Sequence, residues 1–324
     1  KNLLFYQKHP WRLIKMNSYF FTQPFFKKNG KAIAIYFLVA IIFWFVFLVI
    51  IPQLYMLDLS FRTNVPPLER GGPKDFYTFE HYQHFVFGSK TAQDAFNFVD
   101  LGVFGRTILV SIFVTLANLA FCYPIAFYIA KIANPSTARL LIVSLIIPFW
   151  INELLRSFAL RILFANEGVI NNVLTGIGII DQGILFITYD IGLYTGLIYA
   201  YILLMMFPLY NAIESLDVNQ IEAAKDLGSS TFRTHWRVVI PHAKPGIVSG
   251  CTMVFMLTVG ALATPVVLSS PNTLWFPQLI YQWFNMNDNW SRGSAYSIIL
   301  LIISVIFVLT MMRIFKVRIG EIIK

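Results

Sequence analysis

The stretch QIEAAKDLGSSTFRTHWRVVIPHAKPGI, residues 220–247, is polar and helix-prone, and it carries Lys225, Arg233, Arg237 and Lys244. Apolar sequence flanks it on both sides. No charged residue falls between Asp190 and Glu214 before it, and none between Lys244 and Asp288 after it. Each gap is long enough for the roughly 20 residues with which a helix crosses the hydrocarbon of a bilayer. The stretch therefore reads as a charged connector between two membrane spans, and that reading decides the fold class.

Working outward, the same charge-free gaps recur between Lys31 and Asp58, Arg106 and Lys131, and Arg292 and Arg313. They predict spans near 32–52, 105–130, 191–213, 247–268 and 294–313. A sixth span near 139–165 is apolar in its first half (LLIVSLIIPFWI) and then admits Glu153, Arg156 and Arg161. Composition agrees: 57% of the 324 residues are hydrophobic, 13% are charged, and mean hydropathy is +0.66. A soluble domain carries roughly twice that charged fraction. The expected fold is an all-α integral membrane protein of six transmembrane helices over 32–324, with a connector at 214–246 and a basic aromatic segment at 1–31.

Six spans place both termini on one side. Residues 1–31 hold Lys and Arg but no acid, the connection 131–139 holds Lys131 and Arg139, and the tail holds Arg313, Lys316, Arg318 and Lys324. The connections 53–104, 166–190 and 269–293 are acidic or mixed. The positive-inside rule puts both termini and the connector in the cytoplasm. The net charge of +9 is thus topological, and its scatter along span flanks argues against a nucleic-acid partner. Segment 1–31 reads either as an interfacial element on an anionic lipid leaflet or as the positive flank that orients span one. The first apolar run is too long for the core of a cleavable leader. Cys122 and Cys251 fall inside spans, where they serve as small apolar residues.

Pro66-Pro67 and Gly71-Gly72-Pro73 break up 53–104, which is expected to cap the outer mouth. LWFPQLIYQWFNMNDNW (274–290) predicts a short interfacial helix or, alternatively, an aromatic belt. No catalytic set, nucleotide loop or metal-binding spacing is visible. Gly30-Lys31 runs into Ala32, and His235 and His242 read as solvated connector residues.

Within the connector, Asp217 is a good N-cap and Gly228 a good stop. Ile221, Ala224 and Leu227 share one face between them. A second helix, STFRTHWRVVI, is expected to begin at Ser229–Thr231 and end at Pro241. The small residues Ala223, Ala224 and Gly228 would let another backbone approach closely. The order Glu222-Ala223-Ala224, three residues, Gly228, nine residues, Val238, one residue, Ile240-Pro241 resembles the cytoplasmic loop of ABC-importer permeases; Val and Ile stand where that pattern has Ile and Leu. FPLYNAIESLDVNQIEAAKDLG, YPIAFYIAK and IIPFWINELLRSFALRILFANEGVINNVL are similar to permeases of the spermidine/putrescine family, over about 100–315. The resemblance implies that the loop docks on a separate ATP-binding subunit, which would bind ATP and Mg, with Glu222 and Gly228 the most sensitive positions. It also implies a second permease subunit, a periplasmic or lipoprotein solute-binding protein, a bacterial inner-membrane location and no cofactor in this chain.

A polyamine pathway needs carboxylates and aromatic faces. At 100° per residue, Glu153, Arg156 and Arg161 fall in one wedge about 140° wide, with Trp150 one turn before Glu153. Two readings stand: Glu153 and Trp150 meet the moving amine, with Arg156 and Arg161 positioning Glu153 or contacting the outer leaflet, or Glu153 and Arg156 form a packing ion pair. Tyr194, Tyr199 and Tyr201 are further candidates for the wall. Another solute (phosphonate, iron, sugar) or an ion-coupled secondary transporter remains the alternative.

Overall fold

A computed structural model describes residues 31–66, 69–88 and 96–317. The basic aromatic segment up to Gly30, and Arg318 and Lys324 of the tail, lie outside the described residues. The chain divides into two units, Lys1–Asp58 and Leu59–Lys324. In the first, an apolar helix (α1) runs from Lys31 through a π-turn at Val46–Ile50 to Asp58, past the expected end of span one; its last residues, 59–61, belong to the second unit.

In the second unit the described residues form α2 (Glu80–Phe87), α3 (Phe98–Ile132), α4 (Pro135–Trp150), α5 (Glu153–Leu163), α6 (Val169–Gly176) and α7 (Ile191–Glu214). These are followed by α8 (Val218–Asp226), α9 (Thr231–Val259), α10 (Ala263–Leu268), α11 (Phe276–Asn285) and α12 (Trp290–Phe315). No strand is present among the described residues; Arg62 and Tyr77 form an isolated antiparallel bridge. Five helices are long and apolar enough to cross a membrane, six if α4 and α5 count as one span.

α3, α7 and α9 form the buried centre, built on Val114, Cys122, Leu197, Met205, Leu209, Ile247 and Val254. Gly246 and Gly250 bring α9 against α7: a Cβ on Gly246 would strike the Pro208 carbonyl and Ala212, and one on Gly250 would meet Met205 Sδ. Small residues four apart permit this close approach. At one end of the bundle Lys131 Nζ donates to the carbonyls of Glu214 (3.0 Å) and Leu216 (2.5 Å). At the other, Phe85, Phe276, Leu279 and Tyr296 gather α2, α11 and α12 into a second apolar cluster. The helix expected near 274–290 is α11.

The expected sixth span is broken. α4 ends in a 3₁₀ turn, Ile147–Trp150, and α5 restarts after Ile151-Asn152 at 92° to it. Pro148 carries no N–H for the ladder, and Asn152 caps the new helix by accepting from Leu154 N at 2.8 Å. A second correction concerns the connector. Its second helix does not stop at Pro241; α9 passes through it and through Pro245. A π-turn at His235–Val239 precedes Pro241 and widens the helix where the proline ring would press on the preceding turn.

Candidate functional site

The connector presents its motif on a short, well-capped turn. Asp217 accepts from Asn219 N at 3.0 Å to start α8, and Gly228, at φ +78°, ends it. Gly228 N donates to Lys225 O and Ser229 N to Ala224 O, which closes the helix over its last carbonyls. Ser230 caps α9 by accepting from Arg233 N. Of the face expected to pack, Ile221 is buried and Ala224 half-buried, but Leu227 is 89% exposed. Leu227 is the C-cap residue, so the chain has already left the helical face there. Phe232 and Trp236 stack on each other at 6.3 Å and are also exposed. Glu222, Ala223 and Gly228 are exposed and Val238 half-buried, with Ile240 half-buried and Pro241 exposed further along α9. The result is a polar turn bearing three exposed large apolar side chains.

His235 is not the solvated residue expected. Its Nδ1 lies 2.7 Å from Tyr123 Oη, and its ring packs at 4.4 Å on Phe127, because α9 continues as a helix alongside the end of α3. His242 Nε2 sits 3.1 Å from Ser215 Oγ. Asn211, Ser215, His242 and Ser249 line a cavity of about 670 Å³ between α7 and α9 on the connector side.

The second candidate region lies where two helices break. α9 ends at Val259 and α10 begins at Ala263; α10 packs on α5, which itself begins at the break after α4. Glu153, the first residue of α5, occupies this junction. Its Oε1 accepts from Thr264 Oγ1 at 2.7 Å and from Tyr201 Oη at 3.3 Å, while Oε2 has no partner among the described residues. Tyr201 is near the middle of α7, which sets Glu153 near mid-depth of the bundle. Ser157 Oγ adds a 3.3 Å link to Thr264.

Glu153 and Arg156 do not pair. Arg156 is buried, and its guanidinium lies 5.1 Å from the Phe149 ring centre and 5.5 Å from that of Tyr199. Arg161 donates to the Val267 carbonyl, binding α5 to α10. Trp150 is 86% exposed and makes no recorded contact with Glu153 or its partners. The 92° bend separates them, since the wheel that brought Trp150 close assumed an unbroken helix. The structure thus gathers Glu153, Arg156, Tyr199 and Tyr201, and leaves Trp150 out.

Two clusters at the end of the bundle away from the connector were missed. Asp190, φ +56°, precedes the first residue of α7, and its carboxylate accepts from Arg106 (2.6 Å), Thr273 Oγ1 (2.9 Å) and Ser270 N (2.9 Å). In sequence these charges served only as span edges. Tyr296 Oη donates to Asp100 Oδ2 at 2.5 Å and stands 3.1 Å from His84 Nδ1. Burial, then the Arg292 charge, lowers the His84 pKa below its ordinary value, so the imidazole is neutral at pH 7.

Among the described residues the chain is a bundle of apolar helices, interrupted at mid-depth between α4 and α5 and between α9 and α10, with an exposed turn at one end. The chain belongs to the family of binding-protein-dependent transport system inner membrane components, whose profile matches residues 20–319. It is a permease subunit of the ABC-importer class. It is 34% identical over 280 residues to the spermidine/putrescine transport system permease protein PotB of Haemophilus influenzae, covering 85% of this chain and 92% of that one. To PotB of Escherichia coli (strain K12) it is 32% identical over 277 residues, covering 85% and 95%. Among solved structures, a chain of a bacterial alginate ABC transporter in complex with an alginate pentasaccharide-bound periplasmic protein superposes with a TM-score of 0.70. The two are 17% identical, and the superposition covers 92% of this chain and 100% of that one.

Proposed function

We propose that this chain is one of two different permease subunits of an importer of polyamines, spermidine and putrescine, in a bacterial inner membrane. Its permease domain spans 32–324, and both termini are cytoplasmic. A solute-binding protein delivers substrate to the outer clusters. A separate ATPase subunit binds ATP and Mg, and docks on the turn built by Glu222, Ala223, Ala224 and Gly228, with Val238, Ile240 and Pro241 holding it to α9. Closure of the ATPase pair moves this turn and, through α7 and α9, the helix breaks at mid-depth.

The observation that carries the substrate reading is Glu153. Its carboxylate is set at mid-depth where two helices are interrupted, with one oxygen held by Thr264 and Tyr201 and the other without a partner among the described residues. Intramembrane acids of this kind mark substrate and ion routes. The near-full-length similarity to spermidine/putrescine permeases supports the same class. An ion-coupled secondary transporter would leave the exposed Leu227, Phe232 and Trp236 turn without a partner.

The test is ATPase activity of the reconstituted complex, with spermidine or putrescine and the binding protein. Polyamine should stimulate it, and Glu153→Gln should lower the stimulated rate about tenfold or more, as expected for loss of a charge-assisted contact. Full activity in the Gln variant would remove Glu153 from the pathway. Stimulation by a phosphonate, iron or sugar instead would keep the importer and replace the substrate.

A further inference from the structure

Arg156 is 9% exposed, yet no carboxylate lies within ion-pair distance of it. Its guanidinium donates no hydrogen bond among the described residues, and Nε is buried without a partner. What it lies over is aromatic: the Phe149 ring at 5.1 Å and the Tyr199 ring at 5.5 Å from the ring centres. Glu153, one helical turn earlier, has a free oxygen, but its ordered contacts go to Thr264 and Tyr201. A largely buried cation that lies over two aromatic rings without a counter-ion, with a carboxylate one turn away, occupies a site whose chemistry suits a cation.

We propose that Arg156 is a resident cation: in the empty protein its guanidinium fills the Phe149–Tyr199 cage that a substrate ammonium takes in transit, and it thereby sets the affinity of the pathway. This rests on the polyamine reading above. The exchange conserves charge, one cation leaving the cage as another enters. The displaced guanidinium has a receptor three residues back, the open Oε2 of Glu153, at a spacing that lets two side chains on a helix meet.

Geometry couples the exchange to conformation. Phe149 lies in the turn that ends α4, Arg156 lies on α5, and the guanidinium therefore spans the 92° bend between them. Tyr199 ties the same cage to α7, the helix that leads into the connector. Replacing the tethered cation with a free one releases that bridge. Arg156 is accordingly a specificity-determining residue. A ligand must outcompete a guanidinium for two ring faces, which an alkylammonium chain can do and a strongly hydrated inorganic cation cannot.

A purely structural arginine that only pins the bend makes the opposite forecast, so binding decides between the two. Spermidine binding would be measured by calorimetry on the detergent-purified complex of both permeases and the ATPase, without binding protein. Compared would be the wild type, Arg156→Gln, Arg156→Lys and Tyr199→Leu. Removing the competitor should tighten Kd about tenfold in Arg156→Gln and by a smaller factor in Arg156→Lys, whose ammonium holds the cage less well, while Tyr199→Leu should weaken it. An unchanged or weaker Kd in Arg156→Gln, beside a wild type that binds, overturns the inference and leaves the polyamine reading intact. If the Gln variant does not assemble, the Lys variant decides by the same direction of change. A wild-type complex that binds no polyamine overturns the substrate reading and this inference with it.

Discussion

Asp190 shows how much one side chain can hold in this protein. It sits in the left-handed region at the first turn of α7 and is 4% exposed, and its carboxylate joins α3 through Arg106 and the 270–273 loop through Ser270 and Thr273. Asn tolerates the same backbone region, so Asp190→Asn removes charge without adding strain. Arg106 keeps Thr273 at 3.2 Å and Tyr194 at 3.4 Å, and it is partly solvated. The expected loss is therefore that of hydrogen bonds to a charged acceptor, about 2–3 kcal/mol. It is read as a lower melting temperature of the purified protein, with Arg106→Gln plus Asp190→Asn losing less than the sum of the two single variants. Additive losses would mean that the two residues act separately. Glu153 could be picked out from the sequence because an acid inside an apolar run is conspicuous. Asp190 and Arg106 could not, because a charge at the edge of an apolar run looks like a boundary whether it faces water or a buried partner.

At the scale of elements, the sequence revealed five apolar helices and the connector turn, since both follow from local pattern: charge gaps for the spans, Asp217 and Gly228 for the caps. It did not reveal the bend at Ile151-Asn152, although Pro148, the Asn152 cap and the amphipathic run after it were all available. An unbroken wheel drawn through 150–161 hid them and placed Trp150 beside Glu153. Pro241 misled in the opposite sense, because the π-turn that accommodates it has no sequence signature. The α7–α9 contact makes a sharper claim. Gly246 faces the Pro208 carbonyl, which is backbone and cannot rotate away, whereas Gly102 in α3 has nothing within 4 Å of a would-be Cβ. Gly246→Ala should destabilise by about 1–3 kcal/mol through overpacking. Gly102→Ala should be neutral or slightly stabilising, because alanine is the better helix former. Melting temperatures of the two variants measured together check this, and equal shifts would mean that α9 does not pack on α7 as closely as described.

At the scale of the whole molecule, sidedness is the claim on which the functional reading depends. Within the second unit the helix ends sort into two sets. Asp100, Asp190, Thr273 and Tyr296 are joined at one end through two hydrogen-bonded clusters, and Lys131, Glu214 and Leu216 meet at the other. On the proposed topology, which rests on the distribution of Lys and Arg, the second set faces the cytoplasm. Both cysteines, Cys122 and Cys251, are buried and withdrawn from a soluble reagent, so single introduced cysteines can be read against a low background. Leu227 and Phe79 are both well exposed, one on the connector turn and the other in the outer segment. A membrane-impermeant maleimide should label Leu227→Cys in inside-out vesicles and not in right-side-out ones, and Phe79→Cys with the reverse preference. The ATPase subunit adds a second expectation at the same position. If the exposed Leu227, Phe232 and Trp236 turn is where it docks, adding it should slow labelling of Leu227→Cys about tenfold or more, since a residue at the core of an interface is withdrawn from water. It should leave Phe79→Cys unchanged. Labelling of Leu227→Cys from the outside would invert the topology and remove the ATPase from this turn; correct sidedness without protection would keep the topology and move the docking surface elsewhere.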